Sequence, residues 1–247
     1  MSRVSQTVVS NILEKQNLSE DDQLFLIRTL GQHYLENLLK MGVTPSESVQ
    51  LAAVTHNEYS GSAIVYLFKN GIIPSEKVQL AAIKHRAPLD LFYKYPLVYP
   101  SETFQLEAIK KNPYNVTYIK NPSEVVQLAA VTRDGTAIRK FINPSSKVRL
   151  AAIKNKPFLI KDFENPSEDE QLVVVLKKNA YIKYIANPTE LVQLIAVREH
   201  YPNLKILLKK GIVVTQLVKE AAAKAEATSK ILKELSVVVQ QPNSEED

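Results

Sequence analysis

Residues 121–131 read NPSEVVQLAAV, and the phrase returns along nearly the whole chain. It opens at Pro45 as PSESVQLAAV, at Pro74 as PSEKVQLAAI, at Pro100 as PSETFQLEAI, at Pro144 as PSSKVRLAAI, at Pro166 as PSEDEQLVVV and at Pro188 as PTELVQLIAV. Worn copies begin at Leu18 (LSEDDQLFLI) and Val214 (VTQLVKEAAA), which makes nine units. From Pro100 to Pro188 the spacing is a constant 22 residues, whereas the outer units run to 26–29. A unit this small cannot bury its own apolar face, so repetition at this period implies stacking of each unit on its neighbours.

Each unit reads as two helices joined by a tight turn. In Asn121-Pro122-Ser123-Glu124, Asn is the expected cap, Pro takes the first helical position and Glu closes a capping box. The first helix then carries Val126, Leu128, Ala129, Ala130 and Val131, apolar on more than one side, as a helix held between neighbours requires. The second helix is amphipathic: Ile138, Phe141 and Ile142 return as Leu159, Ile160 and Phe163, then as Tyr181, Ile182 and Ile185. In the long units an apolar pair precedes Gly42, Gly71 or Gly211, followed by Val43, Ile72 or Ile212, the pattern of a helix closed by a left-handed Gly. The expected fold is all-α, an α-solenoid of about nine stacked helix-turn-helix repeats. It forms one domain over residues 1–239, with an N-terminal cap over 1–16, repeats over 17–235 and a terminal helical pair from Lys219 to Leu235. Residues 240–247 read as a disordered acidic tail.

The phrase resembles the short helical repeats of uncharacterised bacterial and bacteriophage proteins, HEAT-like in style, over about residues 17–235. That resemblance implies a binding scaffold, with host proteins as partners for the phage members, and carries over no catalytic residue.

Composition narrows function further. At 45% hydrophobic and 23% charged, the chain belongs with soluble globular proteins. Zero Cys excludes disulfides, thiolate zinc sites and a cysteine nucleophile, and makes the cytoplasm the expected compartment. No apolar run approaches the length of a membrane span. His56 and His85 occupy equivalent places in adjacent units, too far apart to share a zinc ion, and His33 and His200 lie near opposite ends of the chain. No Gly-rich phosphate loop or nucleophile elbow is present. These observations point away from an enzyme, a metal site and a cofactor.

Three features remain as candidates. The Gln row (Gln23, Gln50, Gln79, Gln105, Gln127, Gln171, Gln193, with Arg149 and Lys219 in two units) reads either as a polymer-reading ladder or as a structural joint to nearby backbone. The joint is favoured, because a reading code varies from unit to unit. Arg139, Lys161, Lys183 and Lys205 recur every 22 residues on the second helices as a basic stripe, thickened by Lys140, Lys156, Lys178, Lys209 and Lys210. Such a stripe is what a phosphate backbone or an acidic protein groove would meet, with a plain solvated face as the other reading, which the mild net charge of +5 and the few interleaved aromatics favour. Between Asn57 and Tyr118 the period breaks, and Tyr59, Phe92, Tyr93, Tyr95, Tyr99 and Tyr114 crowd together as a candidate partner-binding patch. The expected function is a non-enzymatic scaffold for a macromolecule, most naturally a protein, with nucleic-acid binding through the basic stripe as the alternative.

Overall fold

The computed structural model describes residues 3–15, 17–57, 60–95 and 100–239, and every regular element among them is helical. Residues Met1–Ala129 and Ala130–Asp247 form two compact units. The first contains α1 (Arg3–Leu13), α2 (Glu20–Leu30), α3 (Tyr34–Lys40), α4 (Glu47–Thr55), α5 (Ile64–Lys69), α6 (Glu76–Lys84), α7 (Asp90–Lys94) and α8 (Glu102–Lys111), with the 3-10 helices η1 (Ser60–Ala63) and η2 (Pro113–Tyr118). The boundary falls inside α9 (Glu124–Arg133). The second contains η3 (Gly135–Lys140), α10 (Ser146–Asn155), η4 (Pro157–Asp162), α11 (Glu168–Lys177), η5 (Asn179–Tyr184), α12 (Glu190–Glu199), α13 (Asn203–Lys209) and α14 (Gln216–Val239).

Within the first unit α2, α4, α6 and α8 pack in succession, and within the second α10, α11, α12 and α14 do the same. Second segments fill the seams: η4 lies against both α10 and α11, and η5 against both α11 and α12. Val148, Ala152 and Ile153 of α10, with Leu159 and Ile160 of η4, are almost wholly buried, and the same places recur from layer to layer.

The helix starts differ from the expected register by two residues. Ser, not Asn, is the cap: Ser46, Ser75, Ser101, Ser145 and Ser167, and Thr189 in their place, accept from the backbone amide three residues on. Glu is therefore generally the first helical residue, and capping boxes close only where a carboxylate stands two places later, at Ser19–Asp22 and Ser167–Glu170. Asn121 and Asn143 instead adopt φ of 52° and 50°, a left-handed turn that Asn tolerates better than most residues, just before the proline. The displaced Glu has another use. Glu20 accepts from Ser46 Oγ of the next layer at 2.7 Å, Glu190 from Thr215 Oγ1 at 2.5 Å, Glu102 from Ser123 Oγ at 2.5 Å, and Glu76 from Ser101. One hydroxyl thus caps its own helix and donates to the preceding one.

Second segments also depart from expectation. In the 22-residue units they are six-residue 3-10 helices rather than α-helices. At about 2.0 Å rise per residue against 1.5 Å, a 3-10 helix crosses a layer with fewer residues, and the short units have none to spare. Where four or more residues are added the segment becomes α: α3, α5 and α13 end at Gly42, Gly71 and Gly211, with φ of 76°, 71° and 70°. The amides of Val43, Ile72 and Ile212 then bond back to Leu38, Leu67 and Leu207 at 3.0 Å each, as the Gly pattern predicts. At the ends, α1 buries Val9 and Ile12 but leaves Val8 and Leu13 exposed, while α14 is one continuous helix instead of the expected pair.

Gly61 illustrates how tightly layers seat. Its amide donates to His85 O at 2.9 Å, and an added Cβ would stand 2.1 Å from Ala82 O and 2.5 Å from His85 O. Both obstacles are backbone, so Gly61→Ala is expected to cost about 3 kcal/mol in urea unfolding. Gly42→Ala meets nothing within 4 Å and is expected to cost about 1 kcal/mol, from its left-handed φ alone.

Candidate binding surface

The aromatic patch divides on inspection. Phe92 is 0% exposed, packed edge-on to Phe68 and tilted against Phe104 at centroid distances of 5.4 and 4.6 Å, so it is core and offers a partner nothing. Tyr95 is half-buried, its ring stacked on Phe68 at 5.0 Å. Removing that ring would cost stability as well as surface. Tyr114 and Tyr118 are exposed. Tyr59, Tyr99 and the side chain of Tyr93 lie outside the described residues, as does the acidic segment 240–247.

The basic residues hold equivalent places: Arg139, Lys161 and Lys183 are each fifth in their 3-10 helices, Lys205 lies in α13, and all four are exposed. Their charges are not equally available. Arg139 binds Asp162 through Nε and Nη2, at 2.9 and 2.7 Å. Lys183 sits over the Tyr184 ring at 5.0 Å, and Lys161 and Lys205 have no carboxylate within ion-pair distance among the described residues. Two of the residues thickening the row serve the fold. Lys156 pairs with Asp134 at 2.9 Å, and Lys210, its ammonium held below the usual lysine range by burial, donates to the carbonyls of Lys183 and Ile185. The first unit nevertheless carries 12 Lys and Arg against 12 Asp and Glu, and the second 19 against 14, so the whole net charge of +5 belongs to the second.

The Gln row is a joint. Gln50, Gln79, Gln105, Gln127, Gln171 and Gln193 each donate from Nε2 to the carbonyl of the proline five residues earlier, at 2.9–3.0 Å. Gln171 Oε1 also accepts from the Thr189 amide of the following layer. Gln23 donates to Leu18 O at 3.2 Å where the proline is lost, and Arg149, one of the two basic replacements, reaches forward to Glu170 at 2.8 Å and lies over the Phe163 ring at 4.4 Å. Glu170 stands where Val126, Val148 and Val192 stand in other units, so two departures from the repeat answer each other.

A surface that periodicity alone does not separate from core lies on the first helices. Four places, at i, i+3, i+4 and i+7, face away from the layer seams. In α4 these are Ser48, Leu51, Ala52 and Thr55, which with Arg28 and His56 line a shallow groove against α2; Leu51 and Thr55, with Leu80, Ala81 and Lys84, line the next groove. The two middle places are apolar in nearly every unit and only half-buried: Leu51–Ala52, Leu80–Ala81, Leu150–Ala151, Leu172–Val173 and Leu194–Ile195. In α11, α12 and α14 one of the two flanking places is apolar as well, Leu176 at 69%, Leu191 at 44% and Leu217 at 54% exposure, the other being Asp169, Arg198 and Lys224. Helices α11, α12 and α14 thus each present one large exposed leucine to solvent.

No protein-family model matches this chain, and no curated protein or solved structure matches it. Among the described residues no group of three or more His, Cys, Asp or Glu is placed to hold a metal ion, and no helix is long and apolar enough to cross a membrane. His85 Nδ1 lies 2.8 Å from Asn57 O, and His33 Nδ1 lies 3.0 Å from Tyr66 Oη, so both imidazoles join neighbouring segments.

Proposed function

We propose that the chain is a non-enzymatic α-solenoid scaffold that recognises a protein, with the outward face of its first helices in the second unit as the contact surface. The observation that carries this reading is the exposure of Leu176, Leu191 and Leu217 beside the half-buried pairs Leu172–Val173 and Leu194–Ile195. Nothing in the seam between layers needs these side chains to be large and apolar. Burying each against a partner is favourable by about 1.5–3 kcal/mol. The resemblance to bacterial and phage helical repeats points the same way.

Binding of a nucleic acid is the second reading, favoured by the concentration of the net charge in the second unit and by the exposed Lys161, Lys183 and Lys205. One experiment separates the two. The full chain, immobilised and exposed to native extract, is expected to retain a protein through nuclease treatment and through a rise in salt from 50 to about 200 mM. If it retains only DNA or RNA, with affinity falling about tenfold or more over that range, phosphate contacts carry the binding and the protein reading is wrong.

A further inference from the structure

The outward face of the second unit ends in a groove of about 610 Å³ between the C-terminal end of α12 and the middle of α14. Its floor is Ala221, Ala225 and Leu232 with the hydroxyl residues Thr228 and Ser229 between them, and its cations are Arg198, Lys224 and Lys233. The three apolar floor residues fall at i, i+4 and i+11, one stripe along the helix, so the groove follows the α14 axis. Two of them are alanines, which let a second helix approach closely. Leu232 is 61% exposed and stands at the far end as an unpaired apolar contact.

Charge selects the occupant. Arg198 and Lys224 have no carboxylate within ion-pair distance among the described residues. The nearby Glu226 is engaged with Lys230 at 3.4 Å, and Glu220 accepts from Gln216 at 3.0 Å. Resting on the protein-binding reading above, we infer that this groove receives an acidic amphipathic helix of the partner protein. Aliphatic side chains at i, i+4, i+7 and i+11 of that helix lie on Ala221, Ala225 and Leu232, and its flanking carboxylates face Arg198 and Lys224. A helix-in-groove contact with complementary charge is a recurrent way of binding a peptide segment.

The test uses the full chain and three synthetic 16-residue helical probes, followed by fluorescence anisotropy. The first has Leu at i, i+4, i+7 and i+11 flanked by Glu; the second keeps the leucines and replaces Glu by Lys; the third keeps the Glu content and scrambles the leucines. The acidic amphipathic probe is expected to bind at least tenfold more tightly than either of the others. Ala225→Arg, which fills the groove while adding positive charge, and Lys224→Glu, an exposed change that breaks no ion pair among the described residues, are each expected to weaken it at least tenfold. Equal affinity for the acidic and basic probes, or unchanged affinity in both variants, overturns the inference. So does concentration-dependent dimerisation in sedimentation that Ala225→Arg abolishes, since the groove then belongs to a second copy of the chain. If the acidic probe fails while the chain still captures a protein from extract, only the groove assignment falls; if that capture fails too, the scaffold reading falls with it.

Discussion

Arg149→Gln is expected to lower the unfolding free energy by about 3 kcal/mol, and adding Glu170→Val to the same chain is expected to recover most of it. The carboxylate of Glu170 is 3% exposed and has two donors, Arg149 Nη2 at 2.8 Å and its own Ser167 amide at 2.9 Å. Removing the guanidinium leaves a buried carboxylate with the amide alone, and a buried charge without its partner is costly. Glu170→Val by itself costs less, because Arg149 is 26% exposed, keeps its contact with the Phe163 ring and can turn towards water. The double variant restores the arrangement found elsewhere in the chain, where Gln171 donates to Pro166 O and Val192 of the next unit fills the place of Glu170. Urea unfolding of the four chains closes a double-mutant cycle, with an expected coupling of about 2–3 kcal/mol. Additive costs would mean that the pair makes no joint contribution.

The same two residues mark what the repeat makes legible and what it does not. Helix content, the order of first helices and the Gly closures at Gly42, Gly71 and Gly211 follow from local rules, and each is written in a few adjacent residues. The cap shifts by two residues between sequence and structure because Asn, Ser and Glu all have capping chemistry, and only the backbone decides which of them stands outside the helix. The 3-10 form of η2–η5 is hidden because six residues with apolar places three and four apart satisfy either helix. A further limit concerns burial. QLAAV is apolar on every side of α4 or α9, as RLAAI is in α10, and periodicity has no means of separating Ala152, wholly buried, from its half-exposed neighbour Ala151. For the same reason Phe92, a contact candidate on its aromatic character, belongs to the core. Arg149 stands out as a departure from the Gln row, but its partner lies 21 residues on, and a second departure at Glu170 is the available signal.

The second large effect concerns binding. Leu176→Glu with Leu191→Glu changes two side chains that are 69% and 44% exposed, so the cost to folding is expected to stay within about 1 kcal/mol. At the contact surface the same change removes two aliphatic side chains and places two carboxylates against the partner's apolar side, a loss of about 3–4 kcal/mol, or on the order of 100- to 1,000-fold in Kd. Lys161→Glu with Lys183→Glu reverses the charge at two places on the second segments and leaves the first-helix face untouched. The most direct measurement is therefore the affinity of the captured protein for these two double variants beside the unaltered chain, with unfolding curves recorded for all three. We expect the leucine variant to lose at least 100-fold while unfolding at nearly the same urea concentration, and the lysine variant to stay within about threefold of the original. Retention of full affinity by the leucine variant, with the loss falling on the lysine variant instead, would contradict the account.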